Sequence, residues 1–238
     1  MPDLAVILPA AGTSSRYGRN KLLELLDGKT VFERSLTALW EYEFTGEIWI
    51  ATNDPTLTIP RNLMADVHVC PGGPTRAHSV LSALRQVPSS YPWVAIHDAA
   101  RPLVSQELID RTFTTAQKYG AAVPALPVHL TIKQAAGPLP AKVQRTVPRH
   151  DLWTMQTPQI MKREALLHAF DACPLPLEQI TDDAQLLELA GHDVYLVQGD
   201  ERNIKITTQM DRRVAELLLK NSNDEIRMTD QIRNSNDQ

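Results

Sequence analysis

The stretch Leu4-Ala5-Val6-Ile7-Leu8-Pro9-Ala10-Ala11-Gly12-Thr13-Ser14-Ser15-Arg16, followed after Tyr17-Gly18-Arg19-Asn20 by Lys21, decides the fold and the kind of site it carries. Five apolar residues run straight into a loop of small and hydroxylated side chains. Such a run, bounded by a turn signal, reads as a strand buried on both faces. Open α/β sheets bind ligands at the carboxyl ends of their strands, where this loop stands. Small residues let the backbone approach a ligand, successive N–H groups in a turn form a concavity for an anion, and Arg16 and Lys21 add two positive charges. A plain turn is the competing reading of the small residues alone; the two cations favour a grip on a triphosphate. Two better-known phosphate loops do not fit. Gly12 and Gly18 are separated by five residues and followed by Arg19, whereas a Walker A loop has four residues and then Lys. Ser14 stands where the dinucleotide fingerprint has its second glycine.

Outward from this loop, short apolar runs alternate with helical patterns. Strands are expected at Leu4 to Leu8, Glu47 to Ala51, Val67 to Cys70, Trp93 to His97, Ala121 to Leu126 and Val194 to Val197. Between them Val31 to Tyr42, Arg76 to Gln86, Ser105 to Tyr119 and Asp182 to Ala190 carry apolar residues at helical spacing. Ser105 is placed to cap the third helix, and Gly120 and Gly191 to end the third and fourth. Strand and helix in alternation predict an α/β domain over 1–220, with a mostly parallel sheet covered on both faces. A last helix is expected over Thr208 to Lys220, and 221–238 is a polar tail of the kind that stays disordered.

The segment 129–149 breaks the alternation. Thr131 to Lys133 and Ala141 to Val147 are extended pieces joined by Gln134-Ala135-Ala136-Gly137-Pro138-Leu139-Pro140, which reads as a β-arm. A two-stranded ribbon is marginal alone, so a second copy of the chain is the expected cover, with a proline loop folded on its own surface as the alternative.

The 238 residues, 43% of them hydrophobic, suffice for one large core. Lys plus Arg number 24 against 28 Asp plus Glu, so a net charge of -4 gives no ground to expect nucleic acid or an anionic membrane as partner. Any anion must be gripped locally. Cys70 and Cys173 show no metal-ligand spacing and fit core thiols in a reducing cytoplasm. Neither a signal peptide nor an apolar run long enough to span a membrane is evident.

Three further places carry chemistry. Asp98, in His97-Asp98-Ala99-Ala100-Arg101-Pro102, puts a carboxylate at a strand end, where it can hold Mg²⁺ facing a triphosphate if its strand neighbours the first; a turn or cap is the plain alternative. Arg101 beside it suits a second phosphate. Gly72-Gly73-Pro74-Thr75-Arg76 opens a helix after the third strand, offering close backbone approach and a helix N-terminus. Lys205, in Asn203-Ile204-Lys205-Ile206-Thr207, points opposite to its apolar neighbours, with solvent as its default destination. Thr181-Asp182-Asp183 reads first as a cap and first helical turn.

These blocks, with Ser79 and Thr157-Pro158-Gln159 in the same order, resemble the 2-C-methyl-D-erythritol 4-phosphate cytidylyltransferase family over roughly Leu4 to Leu219. The resemblance implies a Rossmann-like, three-layer nucleotidyltransferase fold with a twisted sheet and protruding β-arm, CTP as co-substrate, Mg²⁺ as cofactor, and a homodimer whose arms embrace. By position it implies that Arg16 and Lys21 stabilise the triphosphate and transition state, with Lys205 and Arg149 as further catalytic cations. Ala10, Ala11, Gly12, Gly73, Ser79 and Asp98 surround the nucleotide, and Asp98 binds the metal. Arg101, Thr131, Arg149, Thr157, Thr181 and Lys205 surround the sugar phosphate, with Thr131 and Arg149 reaching the neighbouring subunit's site. Pro74, Leu130 and Pro148 depart from the family pattern, which has acids there. Two rival readings stand beside it: a cytidylyltransferase for another polyol phosphate, such as ribitol 5-phosphate, and a catalytically silent nucleotide-binding dimer.

Overall fold

In the computed structural model, which describes residues 3–12 and 17–221, the opening apolar run is strand β1, Leu4–Pro9, at the centre of the sheet. There follow a small ribbon of β2, Leu25–Leu26, and β3, Lys29–Thr30, then helix α1, Val31–Trp40, and strands β4, Thr45–Ala51, and β5, Val67–Cys70. Helix α2, Arg76–Leu84, leads to β6, Trp93–Ile96; α3, Gln106–Tyr119, leads to β7, Ala121–Pro127. The arm is β8, Ile132–Ala135, and β9, Val143–Val147, after which come β10, Trp153–Met155, and β11, Gln159–Lys162. Helices α4, Arg163–Asp171, and α5, Asp183–Leu189, precede β12, Tyr195–Gln198, and α6 spans 209–221.

The sheet runs β10-β7-β11-β6-β1-β4-β5, with β12 parallel to β7. β1 pairs in parallel with both β4 and β6, so the condition under which Asp98 faces the first loop, that its strand neighbours the first, is met. Successive residues of a strand point to opposite faces. Leu4, Val6 and Leu8 accordingly pack with Phe32, Leu36, Leu108 and Phe113 of α1 and α3, while Ala5 and Ile7 pack with Val80, Leu84, Leu166 and Leu186 of α2, α4 and α5. This is the three-layer α/β arrangement.

Local chemistry sets the helix ends. Thr30 and Glu33 form a reciprocal capping box at the start of α1. Ser105 caps α3, which stops at Gly120 with φ +98°, a conformation that a side chain would resist. The expected helices at Val31 and Arg76 both end about two residues early.

Besides the short β2–β3 ribbon, three elements go beyond the sequence expectations: β10, β11 and α4. β11 enters antiparallel between β6 and β7, so the sheet is mixed on that side. Only four residues long and following Pro158, it carries no strand-length apolar signal, yet Ile160 and Met161 are buried on the two sides of the sheet.

The arm forms a two-stranded sheet of its own, from Ile132 opposite Val147 to Ala135 opposite Val143. Leu130, Leu139 and Val143 on it are exposed. At the other end of the chain, α6 is tied to residues 17 and 25: the Tyr17 hydroxyl donates to Gln209 at 3.1 Å, and Arg212 donates to the Leu25 carbonyl at 3.3 Å. Among the described residues no helix is long and apolar enough to cross a membrane. The tail at 222–238 lies outside the described residues.

Candidate active site

Because β1 and β6 are parallel neighbours with Ile7 opposite Ile96, the loops leaving Pro9 and Ile96 stand side by side. His97 continues the ladder, its N–H donating to the Ile7 carbonyl at 2.9 Å. The next residue, Asp98, is 8% exposed, and three cations from distant parts of the chain converge on it. Arg76 Nε lies 3.0 Å from Oδ1, Lys205 Nζ 2.8 Å from Oδ2 and Arg101 Nε 3.5 Å from Oδ2.

Arg76 also reaches backwards, with Nη1 2.7 Å from Oδ2 of Asp183, a residue only 1% exposed. Asp183 is held from behind. Gln159 Oε1 accepts from the N–H groups of Asp183 and Ala184, both at 3.0 Å, while its Nε2 donates to Asp182, the N-cap of α5. The unexpected strand β11 therefore delivers the clamp that seats this helix start.

Burial works against the charge on Asp98, yet Arg76, Lys205 and Arg101 outweigh it and hold the carboxyl well below the usual carboxylate range. Burial likewise disfavours the Arg76 charge, and the two carboxylates Asp183 and Asp98 more than restore it. For Asp183, burial pushes the carboxyl upward despite the nearby guanidinium. His97, fully buried beside this cluster, is pushed down to about 4 by burial.

Two cavities of about 290 Å³ each meet at this cluster and share Arg76, Asp98 and Lys205 as a common wall. The first is lined by Ala10, Ala11, Gly12 and Lys21 on one side and by Gly73, Pro74 and Ser79 on the other. Glycine is required here for space: a Cβ on Gly72 would lie 2.1 Å from the Ala11 Cβ, and one on Gly73 2.3 Å from the His78 Cβ. The Gly73 N–H donates to the Ser79 hydroxyl at 3.0 Å, which fixes the loop against α2. The second cavity is lined by Arg101, Thr157, Gln159, Thr181 and Asp182.

Ala10, Ala11, Gly12, Lys21, Gly73, Ser79 and Asp98 line the first cavity; Arg101, Thr157, Thr181 and Lys205 line the second, with Lys205 and Asp98 in both. Lys205 leaves its default solvent direction for Asp98. Thr131 and Arg149 sit on the arm and line neither cavity; Arg149 donates to the His129 carbonyl. Arg16 lies outside the described residues. Sequence reasoning gives Arg76, Gln159 and His97 no role in the site, and gives Asp183 only a place in the first turn of a helix. Arg76 did carry a signal: a cation in the first turn of a helix opposes the helix dipole and needs a partner.

An ionised carboxylate lining a cavity is a hard oxygen donor of the kind Mg²⁺ takes, and one suffices when phosphate oxygens complete the shell. Among the described residues no three His, Cys, Asp or Glu side chains gather as an all-protein metal cage.

Comparison with known proteins adds to this geometry. The family model described as IspD, 2-C-methyl-D-erythritol 4-phosphate cytidylyltransferase, matches residues 4–221. A protein of Gloeobacter violaceus named 2-C-methyl-D-erythritol 4-phosphate cytidylyltransferase is 39% identical over 225 residues, which is 90% of this chain and 95% of that one. The bifunctional enzyme IspD/IspF of Desulfotalea psychrophila is 36% identical over 227 residues; the match covers 92% of this chain and 58% of that protein's length. The crystal structure of the Thermus thermophilus 2-C-methyl-D-erythritol 4-phosphate cytidylyltransferase superposes with a TM-score of 0.76 at 35% identity, covering 91% of this chain and 98% of that chain.

The buried histidine makes stability pH-dependent. The unfolded chain protonates His97 near 6.5 and the fold resists until about 4, so the unfolded state binds the extra proton between those values. Stability complete above pH 6.5 therefore declines as pH falls to 4, by ~3 kcal/mol from this group. Asp183, raised in the fold, gains its proton more readily folded than unfolded and offsets part of the loss. Urea midpoints measured from pH 7 to 4 should fall in the wild type and fall less steeply in His97→Asn; parallel curves would contradict the assignment.

Proposed function

This chain belongs to the 2-C-methyl-D-erythritol 4-phosphate cytidylyltransferase family, and from that membership we propose that its first cavity takes CTP, its second takes the phosphorylated acceptor, and the Asp98 cluster lies where the two react. The reaction is the transfer of CMP from CTP to 2-C-methyl-D-erythritol 4-phosphate, giving 4-diphosphocytidyl-2-C-methyl-D-erythritol and pyrophosphate for isoprenoid synthesis. The observation that carries the proposal is the shared wall: Arg76, Asp98 and Lys205 belong to both cavities.

An oxygen of the acceptor phosphate forms a bond to the α-phosphorus of CTP in line with the breaking bond, and pyrophosphate leaves with that electron pair. The attacking phosphate is already ionised at neutral pH, so positioning and charge neutralisation matter more than a general base. Lys21 serves the triphosphate in the first cavity and Arg101 the acceptor phosphate in the second. Arg76 and Lys205 face both. Ala10, Ala11, Gly73 and Ser79 bound the nucleoside, and Thr157 and Thr181 the sugar phosphate. Asp98 would hold Mg²⁺, which when bound neutralises part of the triphosphate charge. As the anions enter, Lys205 and Arg101 exchange the Asp98 carboxylate for phosphate oxygens. Pro74 on the first cavity has no N–H to offer a base edge, so recognition of cytosine falls to its neighbours.

The β8–β9 arm joins two copies, and through it Thr131 and Arg149 reach the partner's second cavity. Support for this comes from the exposed Leu130, Leu139 and Val143 on the ribbon and from the fact that neither residue lines either cavity of its own chain. Cys70 and Cys173 are both free, which supports a reducing compartment such as the cytoplasm.

Pyrophosphate release should be greatest with CTP and 2-C-methyl-D-erythritol 4-phosphate in a panel crossing CTP, UTP, ATP and GTP with several polyol phosphates. Lys21→Ala should lower it by about two orders of magnitude, the usual loss for one preorganised donor to developing charge. Equal or greater turnover with ribitol 5-phosphate would replace the acceptor, and CTP binding with no turnover of any acceptor would make the chain a silent binder. Deleting residues 134–140 should shift the sedimentation profile towards a single chain and raise KM for the acceptor. An unchanged profile would remove the arm from dimerisation.

A further inference from the structure

We propose that His97 is a positioning residue, which with Thr157 forms a hydrogen-bond relay of fixed direction that holds the Asp98–Arg101 turn for transfer; the Thr157 hydroxyl serves this relay and does not donate to the acceptor phosphate. The proposal deepens, and rests on, the reading of the second cavity as the acceptor side.

The direction follows from the partners. His97 Nε2 lies 3.1 Å from the Arg101 carbonyl oxygen and Nδ1 lies 3.1 Å from Thr157 Oγ1. A carbonyl oxygen only accepts, so Nε2 carries the hydrogen. A neutral imidazole then presents a lone pair at Nδ1, and the Thr157 hydroxyl must donate to it. The same hydroxyl oxygen accepts from the Asp98 N–H at 3.0 Å. Its one hydrogen is thereby used inside the protein. A phosphate dianion accepts and has no hydrogen to give, so Thr157 cannot donate to the acceptor phosphate without releasing His97, although its side chain borders that cavity.

The relay belongs to a closed circuit around the reacting groups. The Arg101 N–H donates to the Asp98 carbonyl at 2.9 Å, closing the turn, and the Ile206 N–H donates to the Ala100 carbonyl at 2.8 Å. Asn203 Nδ2 donates to the Thr157 carbonyl at 2.8 Å, and Arg101 Nη1 donates to the Asn203 carbonyl at 2.7 Å. Asp98, Arg101 and the segment bearing Lys205 are thus tied to one another through His97, Thr157 and Asn203. A displaced turn would misplace the carboxylate and a cation together, and small misplacements of catalytic groups are costly to rate.

The test combines a spectroscopic and a kinetic reading on the full chain. In ¹⁵N NMR of histidine-labelled protein, the resonance pair lost in His97→Asn should show an Nε2–H tautomer with a hydrogen-bonded Nδ1, unchanged by saturating 2-C-methyl-D-erythritol 4-phosphate. In Thr157→Val the Nδ1 signal should move to that of a free lone pair. Kinetically, Thr157→Val and His97→Asn should each lower kcat ten- to a hundredfold, and the double variant should lose no more than about threefold beyond the worse single, because both cut one circuit. Thr157→Ser, which keeps the hydroxyl, should recover most of what Thr157→Val loses. An Nδ1–H tautomer, a shift of Nδ1 when the acceptor binds, or losses that multiply in the double variant would each overturn the proposal. So would a Thr157→Val variant whose only change is a higher acceptor KM. Should the wild type transfer no CMP, the functional reading fails while the NMR arm still decides the relay.

Discussion

A buried carboxylate ringed by cations organises this molecule's working end. Asp98 stays ionised at 8% exposure because Arg76, Lys205 and Arg101 surround it, and those cations tolerate one another's company because Asp98 lies between them. Charges taken out of water are retained only when paired with good geometry. The arrangement therefore demands three separate pieces of backbone in place at once: the N-terminus of α2, the turn after β6 and the 203–207 segment. Asp183 meets the outer side of Arg76, and Gln159 meets the helix start that bears Asp183. Each step outward from Asp98 finds a polar group whose partner lies on the next element, so the sheet order near β6 is tied to the charge balance of the site.

Much of this was legible because the fold signal and the site signal coincide. The run Leu4 to Leu8 marks the central strand, and the loop it feeds lines the first cavity. Asp98 could be named because a carboxylate at a strand end can hold a metal facing the neighbouring loop, whereas Lys205, whose pattern alone sends it to solvent, was named by the family resemblance. What escaped the sequence reading did so for physical reasons. β11 is four residues long, and its burial comes from insertion between β6 and β7, a tertiary fact that periodicity does not carry. Asp183 was disguised by plausibility, since an acid in a first helical turn is already accounted for by the helix dipole. Arg76 was hidden behind the ordinary turn signal Gly72-Gly73-Pro74, although its charge is on the wrong end of a helix for local stability. His97 lacks any metal-like spacing and is defined only by what its two nitrogens touch.

The division of cations between the cavities bears on rate as well as affinity. Lys21 faces only the first cavity and Arg101 only the second, whereas Arg76 and Lys205 face both. On the proposed reading, two polyanions must approach to bonding distance across that common wall. Lys21 faces the triphosphate, where charge develops as pyrophosphate leaves, and Arg101 stands against Asp98 beside the wall, so each acts on one substrate's side of the reaction. A cation at the wall feels both phosphates, and its attraction grows as they close. Only interactions that strengthen towards the transition state accelerate the chemical step. Holding that wall in register is then the task of the turn that carries Asp98, which is why a buried histidine with no substrate contact can matter to the reaction.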